Sequence, residues 1–282
     1  MKRLTLVLVG LVLVTGMVGA QATDFLELVK TGTPAQVQSA IKAGADVNAR
    51  SPEQDEDFGD FVPIVAAGVT PLMYAAQHNP NPEVIAVLIG AGADVNARSP
   101  DGRTSLMLAS ANNVNPEVVQ VLLTAGADLA ARTLEGMTAL MYAARQNPNP
   151  EALRVLLKAG EREVHEADVI HFYVGPDQNA RDKGGLTVLM HAARSNPNPE
   201  IVRILLGAGA KLDDRDDQHR GMTALMYAAR YNENPEVVLA LLQASADAKA
   251  KTGEGKTAFD FAKENPKLKG TDAYWDLNDA LY

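Results

Sequence analysis

Thr70-Pro-Leu-Met-Tyr-Ala-Ala76 decides how this chain folds, because it comes back. It returns as Thr104-Ser-Leu-Met-Leu-Ala-Ser110, Thr138-Ala-Leu-Met-Tyr-Ala-Ala144, Thr187-Val-Leu-Met-His-Ala-Ala193 and Thr223-Ala-Leu-Met-Tyr-Ala-Ala229. A diverged copy follows as Thr257-Ala-Phe-Asp-Phe-Ala-Lys263. The steps are 34, 34, 49, 36 and 34 residues. After each of the first five copies come Asn-Pro-Glu, an apolar stretch and usually Ala-Gly-Ala. A period of this length marks a chain assembled from one repeated supersecondary unit.

Each block reads as one helix. Thr70 suits an N-cap, and Pro71 suits the first helical position, where its missing N–H costs nothing. Leu72, Ala75 and Ala76 share a face at helical spacing. Asn79-Pro80 ends that helix, since a residue before proline avoids the α region. Asn81 then caps a second helix opened by Pro82, with Val84, Val87 and Leu88 inward and Gly90 and Gly92 as the stop. Helices this short do not persist alone in water. They hold only if each pair buries its flank against the next, in a stack with atypical ends.

These residues resemble the ankyrin-repeat family. The likeness rests on the Thr-x-Leu-x-x-Ala-Ala helix, the Val-x-x-Leu-Leu helix, and Gly-Ala-Asp-Val-Asn-Ala at 44–49 and 92–97. It implies an all-α solenoid of about seven stacked helical hairpins with β-hairpin fingers, spanning 23–282. The segment 23–50 is expected to cap the N-terminus, 70–254 to form the internal repeats and 255–282 to cap the C-terminus. Where the family usually places His after the Leu, this chain has Met73, Met107, Met141, Met190 and Met226. The inter-repeat tie that the His implies is therefore replaced, with a flexible thioether filling the gap. Two insertions break the period, at 51–69 and 161–175. The first is acidic and carries Phe58 and Phe61; the second carries Phe172 and Tyr173.

Composition narrows the function. Formal net charge is -9, which disfavours nucleic acid, because phosphate backbones reward clustered positive charge. Lys2 and Arg3, an apolar run from Leu4 to Ala20, and Ala20-Gln21-Ala22 form the pattern of a secretory leader cut after Ala22. The expected mature protein is periplasmic or secreted, of bacterial type, with no membrane anchor after cleavage. The absence of cysteine excludes disulfides and thiolate chemistry. No nucleophile elbow, zinc-protease helix or phosphate loop is present, so no enzyme, cofactor or metal is expected. His165, Glu166, Asp168 and His171 match no metal spacing. Asp213, Asp214, Asp216 and Asp217 lack the Gly and distal Glu of a calcium loop and read as a solvated finger.

One alignment column points to recognition. The residue after the Ala-Ala pair is Gln77, then Ala111, Arg145, Arg194 and Arg230; the next is His78, Asn112, Gln146, Ser195 and Tyr231. The resemblance implies that these line a groove at a pitch of about 10 Å. With Arg103 and the insert aromatics Phe58, Phe61, Phe172 and Tyr173, they are the candidate partner-binding residues. Arginine suits carboxylates, so the expected partner is a protein with an acidic segment, bound by a monomer. The other reading of the sequence is that each arginine pairs with a neighbouring repeat's carboxylate. Two further classes stay open: an exported effector of another organism's proteins, and a binder or hydrolase of a small anionic ligand. A second row, Arg50, Arg98, Arg132, Arg181 and Arg215, is expected to bond carboxylates of the next finger.

Overall fold

The computed structural model describes residues 24–51, 68–159, 177–217 and 221–282. The leader expected at 1–22 lies outside these residues. So do Phe58, Phe61, Phe172, Tyr173, the cluster His165 to His171, the insert 161–175, and all but the edges of the insert 51–69.

Helices come in pairs along the chain. They are α1 (24–31) and α2 (Pro34–Lys42), α3 (Pro71–His78) and α4 (Pro82–Gly90), α5 (Ser105–Asn112) and α6 (Pro116–Thr124), α7 (Ala139–Gln146) and α8 (Pro150–Ala159). Then follow α9 (Val188–Ser195) and α10 (Pro199–Gly207), α11 (Ala224–Tyr231) and α12 (Pro235–Gln243), α13 (Ala258–Ala262) and α14 (Asp272–Asp279). The boundaries have local causes. The Thr70, Thr138, Thr187 and Thr223 hydroxyls accept the N–H three residues on. Asn81, Asn149, Asn198 and Asn234 accept the N–H two residues on.

Helix α3 is buried from Pro71 to Ala76, beyond the single face that the spacing suggests. In α4 the buried residues are Val84, Ile85 and Leu88, with Val87 only half-buried. The five methionines after the conserved leucine are all buried. Among the described residues, β structure is one isolated antiparallel bridge, Arg181 to Thr187. At the expected finger positions, tight turns are closed by pairs of main-chain bonds, such as Ser99 N–H to Arg103 O with Gly102 N–H to Ser99 O, and Thr133 N–H to Met137 O with Gly136 N–H to Thr133 O. Arms this short leave no room for a ladder.

The chain divides into two compact units, Met1–Ala109 with Glu117–Asp128 and Ser110–Pro116 with Leu129–Tyr282. In the first, α4 packs on α2 and α3. In the second, α7, α9, α11 and α13 form one layer in that order, and α8, α10, α12 and α14 form the other.

Neighbouring pairs are tied by asparagine. The buried Asn196 amide donates to Ala144 O at 2.9 Å and Asn147 O at 2.9 Å, while its Oδ1 accepts the Asn198 N–H at 3.0 Å. Asn147, Asn232 and Asn265 repeat this pattern in the second unit, and Asn79 repeats it in the first on Val29 O and Gly32 O. Where the resemblance implied histidine, this chain thus ties its repeats with the Asn that follows the first helix of each pair, which opens Asn-Pro-Asn-Pro at 79, 147 and 196.

The second arginine row bonds main-chain oxygen. Arg181 donates to Gly185 O of its own turn and to Arg215 O of the next; Arg132 and Arg215 do the same on Gly136 and Arg181, and on Gly221 and Lys251. Arg50 does so in the first unit, on Gly68 O and Arg98 O. Arg181 also reaches carboxylates, Asp214 at 3.0 Å and Asp217 at 3.9 Å. The run 213–217 is a solvated finger only in part, with Asp213 and Asp217 exposed. Asp213 accepts the Asp247 N–H, and Asp216 is buried under the Tyr227 hydroxyl.

One position departs from the glycine rule. Gly44, Gly92, Gly126 and Gly209 close their helix pairs at φ between 87° and 100°, but the equivalent residue after α12 is Ser245 at φ 68°. An L side chain is strained there, and this one is exposed. Ser245→Gly should therefore raise stability by about 0.5–1 kcal/mol in urea unfolding. A neutral or destabilising result would mean that the hydroxyl compensates the backbone.

Candidate functional site

The exposed ends of the first helices carry the recognition column. In the first unit, Gln77 is half-buried and His78 is exposed, its ring edge-on to Tyr74 at 4.8 Å. Burial, reinforced by Lys30, lowers the His78 pKa below its usual value. Arg103 is engaged within its own turn. It is half-buried and forms an ion pair with Asp101, which also accepts the Ser99 hydroxyl, so its charge is spent inside its own turn.

The second unit holds the rest. Asn112, Arg145, Gln146, Arg194, Ser195, Arg230 and Tyr231 are all exposed. Helices α7, α9 and α11 pack side by side, which brings their equivalent arginines into sequence. Among the described residues, Arg145, Arg194 and Arg230 form no ion pair. The carboxylate pairing open to them from sequence is thus not found among the described residues. Arg194 and Arg230 instead lie over the Tyr231 ring, at 4.9 and 5.0 Å from its centroid. Arg230 also lies 5.3 Å from the Phe261 ring, and Lys256 lies 5.5 Å from the same ring.

The Tyr231 ring has a floor. One helical turn earlier, the buried Tyr227 stacks on it at 6.1 Å and 25°. The Tyr227 hydroxyl donates to Asp216 Oδ2 at 2.6 Å. Burial first, and the Asp216 carboxylate second, push this phenol far above its usual range. It is therefore a fixed neutral donor at any working pH. Tyr227, Phe261 and Lys256 were missed by the alignment column. The four-residue step from Tyr227 to Tyr231 was the available signal for the first; the other two belong to the diverged last copy.

His191 occupies the Tyr227 position one repeat earlier and bonds Asp182 at 2.9 Å. Burial pushes the Asp182 carboxyl up, but bonds from His191 and the Leu186 N–H outweigh it and hold the pKa below the ordinary value. A lowered native pKa gives stability that is present above the unfolded value and lost as pH falls through the native one. Asp182→Asn should thus cost about 1–2 kcal/mol at pH 7, with the gap to wild type closing on acidification. Thermal melts of both proteins across the acid range check this; a gap that widens as pH falls would contradict it.

Among the described residues, no three His, Asp or Glu gather as a metal ion requires, and no helix is long and apolar enough to cross a membrane. A family model described as ankyrin repeats (3 copies) matches residues 28–133, 72–168 and 161–252. The crystal structure of the human ASB11 ankyrin repeat domain is similar in fold, with a TM-score of 0.64 and 23% identity, covering 91% of this chain and 96% of that one. No curated protein sequence matches.

Proposed function

The chain belongs to the ankyrin-repeat family, and on that premise we propose that it is an exported scaffold that binds a partner protein through the second unit's arginine row. Ankyrin repeats generally mediate protein–protein binding, and the family is typically non-enzymatic. The observation that carries the reading is local: Arg194 and Arg230 lie exposed over Tyr231, and no carboxylate among the described residues neutralises them. In a chain of net charge -9, such a cluster suits an acidic segment on the partner. The protein acts as a monomer, and Gln146, Ser195 and Arg145 extend the contact. Export rests on the leader pattern at 1–22 and places the mature protein, from Thr23, in the periplasm or outside the cell.

Affinity capture from an envelope extract, with wild type and the Arg145→Ala/Arg194→Ala/Arg230→Ala variant side by side, tests this. The variant should lose at least about tenfold in partner affinity, and wild-type binding should weaken with salt. Equal capture by the two proteins would reject the row as the binding site. A cytoplasmic protein with its first residues intact would reject export.

A further inference from the structure

We infer that Tyr231 is the positioning residue of this surface, holding Arg194 and Arg230 as a clamp for two carboxylates on alternate residues of an extended partner segment. This rests on the binding role of the arginine row and adds the form of what it binds.

The two guanidinium carbons lie 4.9 and 5.0 Å from one ring centroid, so they stand no more than about 10 Å apart. Like charges at that distance repel, and the negative ring face is what offsets the repulsion. The ring is supported from below by buried Tyr227, which is itself held by its bond to Asp216. Lys256, the next cation along, is paired with Glu264 at 3.6 Å, so among the described residues the unpaired charge here is concentrated around Tyr231.

A guanidinium held over a ring still offers its in-plane N–H groups, the geometry that takes a carboxylate bidentately. The clamp thus has two donor edges no more than about 10 Å apart. In an extended chain, alternate residues point to the same side and rise about 6.6 Å, a span that side-chain splay brings to the clamp. Adjacent residues point to opposite sides and deliver only one acid. Arg145 occupies the equivalent site on α7, so a segment running along the helix ends meets a further cation on the same course.

The probes are two labelled Ser/Thr peptides of identical composition, one with glutamates on alternate residues and one with them adjacent. At low salt the full chain should bind the alternate isomer about five- to tenfold more tightly by fluorescence anisotropy. Tyr231→Leu should abolish most of that preference with Tm unchanged, since the ring is 41% exposed, while Tyr231→Phe should keep it. Equal affinity for the two isomers, or a Tyr231→Leu variant that keeps the preference, overturns the clamp. If Arg194→Ala and Arg230→Ala then still weaken both isomers alike, the row binds acidic segments and only the clamp has failed. If wild type binds neither peptide, the acidic-segment reading falls as well.

Discussion

Asn196→Ala is expected to destabilise the protein by about 3–4 kcal/mol, far more than its modest loss of volume. Two buried carbonyls, Ala144 O and Asn147 O, and the part-buried Asn198 N–H lose their partner together. Each orphaned buried group costs about 1–3 kcal/mol, and water has no easy route to replace a side chain that is 1% exposed. Two of the lost bonds cross from one helix pair to the previous one, so coupling between repeats suffers as well. In a repeat array, stability is the sum of unit terms and neighbour terms, and weakening one neighbour term splits the transition. Urea unfolding should show a lower midpoint with a broadened or biphasic profile. A loss under about 1 kcal/mol with an unchanged single transition would show that the asparagine ties are incidental.

Deletion of Thr271–Tyr282 is expected to cost at least about 4 kcal/mol and to drive association. Helix α14 covers α12, and it does so with Ala273 and Leu277, both fully buried. Its other side is exposed, including Trp275 at 55%. Burial of Leu277 alone is worth about 2–3 kcal/mol, and truncation also bares apolar surface on α12. Size-exclusion chromatography should show oligomers or aggregates, with a lowered Tm for whatever stays monomeric. A monomeric truncation melting as wild type does would remove α14 from the account of stability.

Element positions were legible because their punctuation is chemical. Threonine and asparagine caps, prolines at first helical positions and glycines of positive φ each act within a few residues. What a repeat does to its neighbour was less legible. The methionines drew attention because they depart from a familiar pattern, yet the ties are made by Asn147, Asn196, Asn232 and Asn265, whose role needs the neighbour's carbonyls in place. Likewise the acids at 213–217 have no local signature that separates a solvated run from one clasped by Arg181 and Tyr227. Arg145, Arg194 and Arg230 were found by alignment alone. That the last two would lie over one aromatic ring depended on packing between α9 and α11.

The ties made by asparagine and by the second arginine row end on peptide oxygens, which every amino acid supplies. Mutation of a neighbour's side chain therefore leaves the acceptor where it was. A copy of the unit can be duplicated beside another, or can drift at its outward positions, and still engage whatever lies next to it. Variation at the helix ends is thereby released from the demands of cohesion, which gives evolution a surface to rewrite one module at a time.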